Sequence, residues 1–293
     1  VKWFWCLFFM VWPIAAVGFC LIAPSQGWWF YSESVSALGR RIDHLFYVIL
    51  WITTFVFIAT QIALGYVLYR GAQRTEPGQS RPAWYSHGRH DLEVAWSIIP
   101  AIILLFIALY QLDVWAAYRV TDAFPRKEME GVLTRLNQTR GPKDSLALAE
   151  VSARQFEWRI RYPGFDANGN LLPLMPEPQP TDLYAVNELR LPAGNPVMIN
   201  LRSQDVQHSF FLPDLRVKQD AVPGLVIPVW FSTDTPGRHQ LLCAELCGWG
   251  HYKMNAWLKT ETEEDFLTFL KNLQRAQNFD GVKDHESKAD AGQ

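Results

Sequence analysis

Cysteine is scarce in this 293-residue sequence, which has four. Cys6 and Cys20 fall in an apolar N-terminal run, while Cys243 and Cys247 stand four apart near the other end. That distribution excludes the evenly spread cysteines of a small disulfide-stapled domain. An excess of either charge is also missing, with 27 Lys and Arg against 29 Asp and Glu and a formal net charge of -2. With no basic stripe either, nucleic acid is excluded as a partner. No Cys-x-x-Cys-His occurs, so no c-type haem is attached within this sequence. There is no internal repeat. The mean hydropathy of -0.04 combined with 49% hydrophobic and 14% aromatic residues implies that apolar residues are gathered into some segments and thinned from others.

Three such segments stand out. Trp3 to Ala23 is almost wholly apolar, and about 20 residues of that kind span a hydrocarbon core as a helix; Pro13 is tolerable there. A secretory signal is the competing reading, but the run is long for one and lacks a small-x-small cleavage site. Ile42 to Tyr69 and Leu92 to Tyr118 are the second and third spans. Between them Arg70, Arg74, Arg81 and Arg89 outnumber Glu76 and Asp91, which places this connection in the cytoplasm. Everything after residue 119 then lies on the outer face, in an oxidising, periplasm-like compartment.

Residues 121 to 143 read as a polar connector with one short helix. Beyond it the punctuation is that of an all-β sandwich or barrel. Strands are predicted near Leu146–Ala153, Gln155–Tyr162, Leu183–Arg190, Pro196–Arg202, Val226–Ser232, Arg238–Cys243 and Asn255–Lys259. Turns fall at Pro163-Gly164, Ala193-Gly194-Asn195, Pro223-Gly224 and Pro236-Gly237. Leu172 to Thr181 carries four prolines and reads as a surface loop. Glu261 to Leu273 reads as a closing amphipathic helix, and the charged tail after Asp280 as disordered.

The chemistry concentrates in Cys243-Ala244-Glu245-Leu246-Cys247-Gly248-Trp249-Gly250-His251-Tyr252-Lys253-Met254. Two thiols, an imidazole and a thioether are soft and borderline ligands that select copper, zinc or iron over magnesium or calcium. Gly248 and Gly250 point to a loop folded around something rather than a helix face. His208, where a predicted strand ends, is the candidate ligand from elsewhere. A blue-copper site needs one cysteine only; the second cysteine suits two copper ions bridged by sulfur, over which an exchanged electron spreads. Three plainer readings stand beside that one: a Cys243–Cys247 disulfide, a structural zinc on His208, Cys243, Cys247 and His251, and a core methionine at Met254. The disulfide leaves both histidines unexplained, and the zinc leaves Met254 unexplained.

Residues 40 to 260 resemble subunit II of the haem-copper cytochrome c oxidases. The resemblance rests on Cys243 to Gly248 with His251 and Met254, on Asp205-Val206-Gln207-His208-Ser209-Phe210, on Val217 to Gly224, and on Leu92-Glu93 with Trp96 to Pro100. It implies a transmembrane helical hairpin followed by an all-β cupredoxin-like barrel holding a dinuclear copper A centre. By that resemblance Cys243 and Cys247 bridge the coppers, His208 and His251 cap one each, and Met254 ligates one. Glu245 ligates through its carbonyl, and its carboxylate reaches a magnesium ion shared with subunit I. Glu93 sits at the inner end of a membrane helix, where a carboxylate is costly and a functional candidate by default; the family places such a residue at the mouth of a proton path.

Three departures are visible. Phe156 occupies the position of the family's electron-accepting tryptophan, so that role falls to Phe156 or Trp158. Leu225 replaces the arginine that often follows Pro-Gly, and the apolar run before residue 24 is extra. The implied organisation is an N-terminal transmembrane helix and outer loop at 1–41, the hairpin at 42–119, a connector at 120–145, the copper domain at 146–260 and a C-terminal helix and tail at 261–293. The implied partners are subunit I and other membrane subunits, a c-type cytochrome donor and membrane lipid, in a bacterial-type inner membrane with the copper domain periplasmic. A copper A nitric oxide reductase and a membrane-anchored metal-delivery protein are the alternatives. A copper-free quinol oxidase subunit is disfavoured by the complete ligand set.

Overall fold

The computed structural model describes residues 2–28, 33–74, 85, 87–139 and 146–278. They form two compact units, one of membrane-type helices and one built on β-strands.

In the first unit, α1 (Lys2–Ile22), α2 (Ala37–Arg74) and α3 (His90–Tyr110) each contain a stretch long and apolar enough to cross a membrane, with mean hydropathies of 2.2, 2.0 and 2.4. Phe55, Ile62, Trp96 and Leu104 are all more than 60% exposed, and α3 buries no residue. Such faces are stable only against lipid or another protein. At 1.5 Å per residue α3 is about 31 Å long, matching a hydrocarbon core of about 30 Å. The third apolar run is thus two helices: α3 ends at Tyr110, Gln111 caps it, and α4 (Leu112–Arg119) follows. The α2 helix starts five residues before the hydropathy run. Its first turn, through Arg41, groups with the β unit, as does the segment from Glu33. Val35 N–H and Ser34 Oγ both donate to the Asp214 carbonyl, at 3.1 and 3.0 Å, and Arg40 pairs with Asp234 at 2.5 Å.

The second unit contains a short helix, α5 (Arg126–Arg135), and then ten strands among the described residues: β1 (Ala147–Arg154), β2 (Glu157–Tyr162), β3 (Leu183–Val186), β4 (Glu188–Pro192), β5 (Val197–Ser203), β6 (His208–Leu212), β7 (Val217–Ala221), β8 (Ile227–Phe231), β9 (Gly237–Cys243) and β10 (Asn255–Glu261). One sheet runs β3-β2-β1-β5-β8 and the other β4-β10-β9-β6-β7. Strict alternation along β5, buried at Val197, Ile199, Leu201 and Ser203, marks a strand with one face on the core. Val151, Trp158, Ile160, Phe210, Leu241 and Leu258 are fully buried between the sheets.

The predicted strand 183–190 is two strands in different sheets. Asn187 turns between them with φ of 57°, a left-handed conformation that asparagine tolerates. Its backbone N–H donates to the Trp158 carbonyl and its Oδ1 accepts from Trp158 N–H, at 2.8 and 2.9 Å. Strands β6 and β7 escaped the sequence reading, so His208 opens a strand rather than following one. The closing helix, α6 (Glu263–Asn278), is capped by Thr262, whose Oγ1 accepts from Asp265 N–H, with three acids in its first turn. Its Phe266 and Leu270 are fully buried. The tail after Asp280 lies outside the described residues.

One ion cluster holds the β3 edge. Arg161, with its side chain 5% exposed, meets Glu150 at 2.9 Å and Asp182 at 2.7 Å, and its guanidinium also donates to the Met175 carbonyl of the proline-rich loop at 3.0 Å. Arg161→Ala takes the close cation from buried Asp182 and leaves Glu150 with Arg202 at 3.8 Å, and is expected to destabilise the β unit by about 3 kcal/mol. Arg159→Ala, at a half-exposed pair, should cost about 1 kcal/mol or less. Denaturant melts of the detergent-solubilised chain followed by tryptophan fluorescence would read both.

Candidate metal centre

Strands β9 and β10 are antiparallel neighbours, with Leu242 opposite Asn255. Cys243 N–H donates to the Met254 carbonyl at 3.1 Å, so the ladder runs one step further and pinches the base of the loop between them. Within it His251 N–H donates to the Gly248 carbonyl and Met254 N–H to the His251 carbonyl, each at 3.1 Å. Strand β6 lies beside β9 with Phe210 opposite Cys243, and Ala244 N–H donates to the Ser209 carbonyl at 3.0 Å, which brings His208 to the same end of the barrel.

The donors form a row. His208 Nδ1 lies 3.9 Å from Cys243 Sγ, which lies 3.8 Å from Cys247 Sγ; Cys247 Sγ is in turn 3.5 Å from His251 Nδ1 and 3.8 Å from Met254 Sδ. The Glu245 carbonyl is 3.2 Å from Cys243 Sγ. A disulfide needs sulfurs about 2.05 Å apart, and both cysteines are free. Two sulfurs on one ion at about 2.3 Å with tetrahedral angles are about 3.8 Å apart. The spacing excludes that bond and fits two sulfurs on a common metal ion. Donor atoms of His208, Cys243 and Cys247 lie within 4.8 Å of one another, and His251 is not in that group. Those three form the compact part of the row, and His251 and Met254 extend it on the Cys247 side.

The surroundings are dry. His208, Cys247 and Met254 are 0%, 4% and 2% exposed. Burial by itself would raise the Cys243 thiol, yet hydrogen bonds from His208, the Ser209 and Glu245 backbone and Cys247 outweigh it and bring the thiol down to about 6. Burial and the neighbouring Cys243 charge push Cys247 up to about 12. The first proton of the pair leaves easily and the second is held, so both sulfurs become thiolates only when a cation shares the site. Burial also opposes charge on His208, but Cys243 and Asp205 overcome it and raise its pKa.

Asp205 and Gln155 support this arrangement. Asp205 Oδ1 lies 2.8 Å from His208 Nε2, which leaves Nδ1 facing the thiols, and Asp205 Oδ2 accepts from Gln155 N–H at 2.7 Å. The Gln155 side chain donates to the Cys247 carbonyl. A carboxylate three residues before a candidate ligand histidine was the available signal for Asp205; nothing in the sequence marked Gln155.

The other predicted positions are separated from this row. Phe156 packs on the loop, its ring centroid 5.2 Å from that of Trp249. Trp158 is fully buried with its ring 6.4 Å from that of His208, so no docking protein can touch it. Glu93 is in the first turn of α3, 3.7 Å from His90 Nδ1. Leu225 is 53% exposed.

A family model described as cytochrome C oxidase subunit II, periplasmic domain, matches residues 150–260, and one described as cytochrome C oxidase subunit II, transmembrane domain, matches residues 24–114. The chain is 28% identical over 271 residues to the alternative cytochrome c oxidase subunit 2 of Bradyrhizobium diazoefficiens, covering 88% of each. It is 27% identical over 275 residues to cytochrome c oxidase subunit 2 of Thermostichus vulcanus, covering 83% of this chain and 78% of that one. The periplasmic domain of cytochrome oxidase subunit II (CoxB) of Bradyrhizobium japonicum is 22% identical, with a TM-score of 0.36 over 44% of this chain and 93% of that one.

Removing the carboxylate that orients a ligand histidine costs about 10–100-fold in metal affinity. Asp205→Ala is expected to weaken copper binding by that factor in chelator competition, and Asp205→Asn, which keeps an acceptor, by less.

Proposed function

The chain belongs to the cytochrome c oxidase subunit II family, and from that premise we propose that it is the copper A subunit of a respiratory terminal oxidase. It accepts electrons singly from a c-type cytochrome and delivers them to haem in subunit I, where oxygen is reduced to water with proton translocation. The row of donors from His208 through Cys243 and Cys247 to His251 and Met254, at steps of 3.5–3.9 Å, carries the reading.

A copper pair held there would supply one-electron redox chemistry, with the charge spread over two ions. His208, Cys243, Cys247, His251 and Met254, with the Glu245 carbonyl, are the residues that would hold it. Burial of His208, Cys247 and Met254 excludes water, and Asp205 fixes which imidazole nitrogen faces the thiolates. Because β6, β9 and β10 hold the ligands on a paired framework, little has to move when charge arrives. The half-buried Glu245 carboxylate would reach a magnesium ion shared with subunit I. The apolar faces of α1, α2 and α3 suit lipid and the other membrane subunits. The positive connection after α2 supports a bacterial inner membrane with the β unit in the periplasm. Glu93, at the cytoplasmic end of α3, would feed protons toward subunit I.

Copper-loaded chain should bind two coppers and give a seven-line electron paramagnetic resonance pattern from one electron shared by two nuclei; a four-line spectrum or stoichiometric zinc would sink the reading. Glu93→Gln is expected to slow turnover of the assembled oxidase by about 10-fold or more while copper reduction stays normal. Equal loss of both would refute its role in proton uptake.

A further inference from the structure

Three large side chains on the metal loop point into solvent. Leu246 and Trp249 are each 79% exposed and Tyr252 is 73% exposed. Adjacent exposed apolar groups mark interaction surfaces, and tryptophan and tyrosine are the residues that most often carry interface energy. We propose that Trp249 is where the electron donor touches this chain, and that the donor presents an apolar, weakly charged rim around its redox group. This rests on the copper A reading and names the partner chemistry of that site.

The local geometry explains why the indole stands out. A Cβ on Gly250 would lie 2.5 Å from the Phe156 ring, and one on Gly248 would lie 3.2 Å from it. The loop backbone on either side of Trp249 therefore lies flat on Phe156, and the residue between the two glycines has only the outward direction left. Gly248 also has φ of 132°, which disfavours a side chain there whatever the space. The Phe156 and Trp249 rings meet edge to face at 67°, which fixes the indole's tilt. In sequence Trp249 is two residues from Cys247 and two from His251, so the surface ring has a short covalent route to both. Trp158, the other tryptophan near the ligands, has no exposed surface.

The surrounding charges argue against a donor steered by a ring of lysines. Glu157 is held between Arg154 at 3.0 Å and Arg159 at 2.7 Å. Asp205 is engaged by His208 and by Gln155 N–H. A cation stands over the patch: Lys253 is 5.4 Å from the Trp249 ring centre and 5.5 Å from that of Tyr252. A cationic rim would meet repulsion from Lys253; an apolar one would bury Leu246, Trp249 and Tyr252. In the transfer the donor is oxidised by one electron, the copper pair is reduced by one, and no atom or proton changes place.

The assembled oxidase in detergent tests this, with a c-type cytochrome of neutral to acidic rim as probe and a lysine-ringed one for comparison. Trp249→Ala should lower the second-order rate of copper reduction, and weaken binding of the oxidised probe in calorimetry, by about 10-fold or more, with the copper resonance unchanged. Trp249→Phe should restore most of both. The wild-type rate should change by less than about 3-fold between 20 and 300 mM salt and be higher with the neutral to acidic probe. A wild-type rate and affinity in Trp249→Ala with full copper resonance would overturn this inference alone, as would a preference for the lysine-ringed probe with a steep fall in salt. A wild-type oxidase with no dinuclear resonance would overturn the copper reading and this inference with it.

Discussion

Two sulfur atoms 3.8 Å apart in a nearly water-free pocket set the terms for the rest of the β unit. Two thiolates at that distance repel by about 4 kcal/mol even at an effective dielectric near 20, and burial adds to the cost. A chain alone can ionise one of them by surrounding it with donors, and Cys243 is so surrounded. Ionising both requires positive charge at the site. The neighbours answer that need: imidazole on either side of the sulfur pair, a thioether and a backbone carbonyl close by, and Asp205 turning one imidazole the right way round.

The sandwich supplies the rigidity this arrangement needs. His208 and Cys243 come from neighbouring strands, and Met254 precedes the strand that pairs with the one ending at Cys243. The β1–β2 turn then fastens the assembly from a second side, since Gln155 holds both Asp205 and the Cys247 carbonyl while Phe156 supports the glycines of the loop. Residues from three separate stretches of sequence are thus tied to one end of the barrel.

The donor cluster that the fold assembles was legible in the sequence because two cysteines, two histidines and a methionine in that pattern have few other joint uses, and the membrane runs because hydropathy over about 20 residues is hard to mistake. The missed elements had weaker signals. Strand β6 buries residues on both faces and so lacks alternation, while β7 carries Lys218, Gln219 and Asp220 and reads as loop. The split at Asn187 depends on a left-handed residue that no periodicity announces. Phe156 and Trp158 are two apart and would share a face in a continuous strand. The strand starts only at Glu157, so one ring lies on the metal loop and the other is sealed in the core. Trp249 was in plain view in the motif, but its outward direction follows from the phenylalanine under its glycine neighbours, a contact across 93 residues of sequence.

The backbone bond from Cys243 to Met254 carries a consequence for how such a protein can change over generations. Because the ladder closes below the loop, β9 and β10 keep their register whatever joins them, and most of the soft donors travel together in one short stretch. The barrel can therefore be inherited as a chassis while the loop is altered as a cassette, gaining or shedding a ligand or a surface ring without refolding the strands.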